Sequence, residues 1–296
     1  MLASLLSVQA MEGDEVVTPV FSQTQTAVRT GCVSTEGDDL YYEVRGHGQP
    51  LLMISGGGGD AGFFSAAADL LADEFKVITY DRRGNSRSTR NDPQNFEISQ
   101  QSRDAVAVLR AAGETSAFVL GNSGGAVIAL DMAKTQPHAV RAAIVHEPPV
   151  TRIHPNGKKW QRFFGNIYGT GLRFGTGIAM AAFSLPMGIP RRGYTSIPAE
   201  LASRMGKNHD FFVKHEMLPF SNYKPDVEAI RASGVRMFMA AGKTTLEKHK
   251  FYGETALILA DLLECEMVQF PGHHLSYIDM AEEWADILRL VLYQAS

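Results

Sequence analysis

Between residues 39 and 145 the chain alternates short apolar runs with stretches of helical spacing, and this alternation constrains the fold more than any other feature. D-L-Y-Y-E-V-R at 39–45 alternates loosely, as an early antiparallel strand does. L-L-M-I at 51–54, K-V-I-T-Y at 76–80, A-F-V-L at 117–120 and A-A-I-V at 142–145 read as short buried strands. Between them, Phe63 to Leu71 and residues 99–112 place apolar side chains at helical spacing, and a further helix follows Ser123. Strand and helix in turn at this pace predict an α/β fold with a mostly parallel, doubly wound sheet. The glycine-rich segments fall directly after strands, at the end of such a sheet where sites collect.

The rhythm breaks near residue 151. Residues 151–225 are rich in Gly, Phe, Met and Arg, with helix-like pieces and no convincing strand, and read as an inserted helical cap. Alternation resumes with V-R-M-F-M-A at 235–240, a helix at 253–263, M-V-Q-F at 267–270 and a last helix at 281–293. The expected organisation is a disordered leader over 1–30, a core in two parts over 31–150 and 226–296, and the cap over 151–225.

A chain of 296 residues with 45% hydrophobic residues has ample material for such a core. The formal net charge of −4 offers no basic excess for nucleic acid. Cys32 and Cys265 are far apart and exclude a disulfide framework. MLASLLSVQA at the start is apolar and ends in a small-x-small pattern, yet no Lys or Arg precedes Arg29, so a secretion signal lacks its charged region. The longest apolar stretch elsewhere, Gly177 to Pro190, is broken by Pro186 and Gly188 and is shorter than the roughly 20 residues a bilayer span needs. A soluble, cytoplasmic protein without a membrane span is expected; its oligomeric state is not legible.

G-N-S-G-G at 121–125 lies between a strand and a helix, with its serine at position 123. A nucleophile held at such a turn has unfavourable backbone angles, and its neighbours at minus two and plus two must lack bulk. The helix that starts just after Ser123 aims backbone N–H groups at developing negative charge, Gly124 first among them. S-G-G-G-G at 55–59 ends an earlier strand, and one of its amides would complete an oxyanion hole with Gly124. It lacks the Lys-Ser/Thr ending of a phosphate-binding loop.

A serine nucleophile requires a base, and histidine suits neutral pH. Of nine histidines, His273 and His274 in F-P-G-H-H-L (270–275) follow the last strand and so share the elbow's end of the sheet. His47, His138, His154, His209, His215 and His249 sit in turns, in the cap region or in charged stretches, where solvent-facing or structural roles are expected. His146 lies nearer the site.

Together, S-G-G-G-G at 55–59, Y-D-R-R-G-N-S-R-S at 80–88, the elbow at 121–125 and G-H-H at 272–274 resemble the α/β-hydrolases. The resemblance runs from about residue 35 to the end, apart from the cap, and implies an α/β-hydrolase fold. Many members carry their acid in a loop after the strand at 235–240, but here Thr245 stands in that place. Threonine cannot stabilise an imidazolium by charge. V-H-E-P-P at 145–149 is similar to the zearalenone lactonases, a branch whose acid is a glutamate after the strand that follows the nucleophile helix. That resemblance implies Glu147 as the acid, with Glu247 as its rival. It also implies His274 as the base, from P-G-H-H-L-S-Y at 271–277, and Gly57 as the oxyanion glycine beside Gly124.

The expected activity is hydrolysis of an ester or lactone of a medium-sized hydrophobic small molecule, without cofactor or metal, through an acyl-enzyme. Phe163, Phe164, Tyr168, Phe174, Met180, Phe183, Met187, Phe211 and Phe212 suggest an apolar roof over the substrate. C–C bond hydrolases, perhydrolase or haloperoxidase-type enzymes and non-catalytic receptors also use this fold, and stand as alternatives.

Overall fold

In a computed structural model, which describes residues 27–296, eight strands form one sheet. They are β1 (Arg29–Thr35), β2 (Asp38–Arg45), β3 (Gln49–Ile54), β4 (Phe75–Tyr80), β5 (Ala117–Asn122), β6 (Val140–His146), β7 (Arg236–Gly242) and β8 (Glu266–Phe270). Their order across the sheet is β1-β2-β4-β3-β5-β6-β7-β8. β2 runs antiparallel to β1 and β4, and every pairing from β4 through β8 is parallel. Most of the expected leader, residues 1–26, lies outside the described residues.

Strand periodicity sorts the central side chains onto two faces. Leu52 and Ile54 of β3 join one core, with Val119 of β5 and the helices Ile98–Ala111, Gly124–Thr135 and Phe251–Leu263. Leu51 and Met53 join the other, with Phe118, Leu120 and the helices Ser65–Leu71 and Ala281–Ala295. Because helices cover both faces, β3, β5 and β7 are almost entirely buried, and their sequences read as apolar runs rather than as alternation. Among the described residues, no helix is long and apolar enough to cross a membrane.

β1 is the element that the sequence pattern does not announce. R-T-G-C-V-S-T lies at the sheet edge with every side chain exposed or half-exposed, so burial leaves no apolar signature. It starts at Arg29, two residues inside the span expected to be leader. Between β6 and β7 the chain is helical: Gly157–Phe174, Thr176–Met187, Arg191–Thr195, Ala199–Phe211 and Met217–Asn222, with a π-helical turn at Phe212–Glu216. This insertion packs through Phe164, Ile167, Met187, Val213 and Met217 onto Phe251 and Tyr252 of the core.

Candidate active site

Ser123 leaves β5 with φ 56° and ψ −117° and caps the helix Gly124–Thr135. A positive φ in a residue with a side chain is strained, and the surroundings hold it in place. A Cβ on Gly121 would lie 2.2 Å from the Gly125 carbonyl oxygen, and one on Gly125 would lie 2.0 Å from that of Ile54. Both obstacles are backbone, so these two positions admit only glycine. The Ser123 N–H donates to the His146 carbonyl at 2.9 Å, which ties the turn to the end of β6.

Glu147 follows β6, and its backbone also sits at positive φ, 53°. Its fully buried carboxylate spans the ends of two more strands. Oε1 accepts from the Gly242 N–H at 2.8 Å, at the end of β7, and Oε2 accepts from His274 Nδ1, past the end of β8. Burial alone would raise this carboxyl; the adjacent imidazoles of His146 and His274 and the Gly242 amide outweigh burial and bring it down to about 2. The His274 ring lies beside that of Tyr252, with centroids 4.7 Å apart.

Behind this pair runs a buried polar chain. Tyr277 donates its hydroxyl to Asn122 Oδ1 at 3.1 Å, and Asn122 Nδ2 donates to His146 Nδ1 at 2.9 Å. An accepting Nδ1 leaves the His146 proton on Nε2, which packs among Phe270 and Trp284. Burial pushes His146 down to about 4, against the pull of the Glu147 charge, so the ring is neutral at pH 7.

The remaining candidates separate by position. His273 Nε2 contacts Asp279 Oδ2 at 3.1 Å, and Arg192 reaches the same carboxylate at 2.8 Å, so this histidine ties the last turn to the insertion. Thr245 is buried, and Gly253 leaves its methyl room: a Cβ there would lie 2.8 Å from it. Glu247, His47, His138 and His249 are exposed. His154 pairs with Glu254 at 2.8 Å. His209 differs from its expected structural role, because it lines the same cavity as Ser123 and His274. Its signal was faint: only its place on a helix face with Met205 marks it.

That cavity, of about 1030 Å3 including its open mouth, also meets Gly57, Gly124, Phe164, Met180, Phe183 and Met187. Among the described residues, no Asp, Glu, Lys or Arg lines it. Phe174, expected in the roof, is instead largely exposed. Among the described residues, no group of three or more His, Cys, Asp or Glu is arranged to hold a metal ion.

A family model described as alpha/beta hydrolase fold matches residues 49–187. The uncharacterized hydrolase YraK of Bacillus subtilis is 31% identical over 271 residues, which cover 90% of this chain and 96% of that protein. A thermophilic esterase from Thermogutta terrifontis superposes with a TM-score of 0.72 at 18% identity, over 90% of this chain and 99% of its own. An enol-lactonase from Burkholderia xenovorans does so with a TM-score of 0.67 at 16% identity, over 89% and 100%. At such identities the two structures speak for the fold alone; with the strained serine turn and a relative matched over nearly its whole length, the chain belongs to the α/β-hydrolase family.

Proposed function

We propose that the protein is a serine hydrolase of esters or lactones, with Ser123 as nucleophile, His274 as base and Glu147 as acid. One observation carries this reading. A buried carboxylate, ionised down to about pH 2, is hydrogen-bonded to the histidine that shares a cavity with the serine at the strained turn.

With Nδ1–H given to Glu147, His274 keeps Nε2 free to take the Ser123 proton as Oγ attacks the substrate carbonyl carbon. The Gly57 and Gly124 amides receive the oxyanion of the tetrahedral intermediate. Its collapse breaks the C–O bond, and the leaving oxygen takes the proton from His274. Water then attacks the acyl-enzyme by the same route and releases the acid. No step requires a cofactor. The uncharged, phenylalanine- and methionine-rich lining favours a neutral hydrophobic substrate over a peptide or sugar. An acid placed after β6 agrees with the zearalenone lactonase resemblance, and the esterase and lactonase names of the fold neighbours agree with the bond type.

A p-nitrophenyl ester tests the reading directly. The expected result is a burst of one nitrophenolate per chain followed by turnover. Ser123→Ala should lose both, a fall of about six decades in kcat. Substantial turnover by the pure Ser123→Ala protein would sink the mechanism.

A further inference from the structure

Arg82 is fully buried beneath the loop at 55–59, and all five of its N–H groups have partners. Nε donates to the Ser55 carbonyl at 3.0 Å, and Nη2 to the Gly56 carbonyl at 2.8 Å. Nη1 donates to Gln101 Oε1 at 3.2 Å. The two remaining bonds form a fork onto Glu216, at 2.6 Å to Oε1 and 2.9 Å to Oε2. Glu216 is also fully buried, and Asn85 Nδ2 donates to it at 2.9 Å.

The Gly56 carbonyl and the Gly57 N–H belong to one peptide unit. In a planar trans peptide they point in opposite directions, so fixing the carbonyl on Arg82 aims the N–H away from Arg82. No protein acceptor takes the Gly57 N–H among the described residues, and Gly57 lines the cavity. Glu216 comes from the helical insertion, at the end of the π-helical turn Phe212–Glu216. Phe212, at the start of that turn, covers Gly57 so closely that a Cβ there would lie 2.5 Å from its ring. One turn of the insertion therefore touches the loop twice: its ring packs on Gly57, and its carboxylate holds the guanidinium that holds Gly56.

We infer that Arg82 and Glu216 are positioning residues that set the direction of the Gly57 amide, and that the helical insertion governs transition-state stabilisation through them. This inference rests on the reading of Gly57 as an oxyanion donor. Leucine at both positions could fill the space without charge, yet it would leave the Ser55 and Gly56 carbonyls without their donors. The pair supplies direction as well as volume.

Removing one partner alone leaves a buried unpaired charge and endangers the fold, whereas an apolar pair often keeps it. The double variant Arg82→Met/Glu216→Leu is therefore the main test, with Arg82→Lys beside it. Lysine keeps the charge against Glu216 but cannot reach both carbonyls in a fixed fork. Either folded variant should lose about 10- to 100-fold in kcat, since loss of one whole oxyanion donor costs 10²–10³. KM should stay within about threefold, and affinity for a trifluoromethyl ketone, which forms a tetrahedral adduct, should fall in step with kcat. A folded variant with wild-type kcat, or one whose loss lies in KM alone, overturns the inference. An active Ser123→Ala protein instead overturns the serine-nucleophile mechanism on which the inference rests, and the two failures are distinct.

Discussion

Glu147 has farther to reach than an acid in the usual place. It leaves β6, and His274 follows β8, so the carboxylate must cross the end of β7, with adjacent strands roughly 4.8 Å apart. The Gly242 N–H at the end of β7 receives it midway. Aspartate is shorter by one methylene, about 1.5 Å of reach. Glu147→Asp should therefore cost nearly as much as Glu147→Gln, for which removal of the charge beside an imidazolium predicts a loss of roughly two to four decades in kcat/KM. Glu247→Gln, on an exposed side chain, should be silent. If Glu147→Asp retains wild-type kcat/KM on an activated ester, the account of reach is wrong. The tandem histidines make a second comparison at this scale: His274→Ala should abolish turnover, whereas His273→Ala should weaken only the tie through Asp279 to the insertion. A dead His273→Ala enzyme beside an active His274→Ala one reverses the assignment.

At the scale of elements, the turn from β5 into its helix is a packing solution as much as the proposed seat of the nucleophile. Gly125 lets the helix start against the Ile54 carbonyl at the end of β3, which brings Ser123 over the carboxyl end of the central strands. Gly125→Ala places a methyl 2.0 Å from that backbone oxygen, and no side-chain rotation can relieve the clash. We expect a loss of at least about 3 kcal/mol, read as a lowered urea midpoint, in line with severe overpacking. A stable Gly125→Ala protein with native activity would show that the helix can shift at little cost. This element was legible because its requirement is local: small residues at fixed offsets from one serine. β1 was not legible, because an edge strand of exposed residues needs only a partner, and the partner β2 supplies its hydrogen bonds.

Across the whole molecule, stability and pH are linked through the buried groups behind the site. Unfolded, His146 titrates near its ordinary 6.5; folded, burial holds it at about 4. Between those values the unfolded chain binds the extra proton, so stability is complete above pH 6.5 and falls as the pH drops towards 4. The loss amounts to on the order of 3 kcal/mol, and Glu147 adds to it only lower down, between its ordinary 4.5 and about 2. Urea midpoints measured from pH 7 to pH 4 should therefore decline, and His146→Gln should flatten that decline whatever its effect at pH 7. An unchanged slope in His146→Gln would assign the decline to other groups.

The sequence by itself determined the sheet class, the strained serine turn and the histidine pair after the last strand. Each rests on interactions between residues close in the chain: apolar periodicity, glycines flanking one serine, a turn closing one strand. Thr245 in the usual acid position was also plain, and resemblance pointed to Glu147 in its stead. Only the tertiary structure brought Glu147 to His274, and it did so because parallel strands align their carboxyl ends whatever the length of chain between them. The same holds for Arg82 and Glu216. The motif at 80–88 is visible in the sequence, but nothing local marks its first arginine as the partner of a carboxylate 134 residues away. Nor does anything local say that this carboxylate lies at the end of a π-helical turn. A buried ion pair is stable only when both charges lose their water together, and that condition belongs to the folded molecule rather than to either segment.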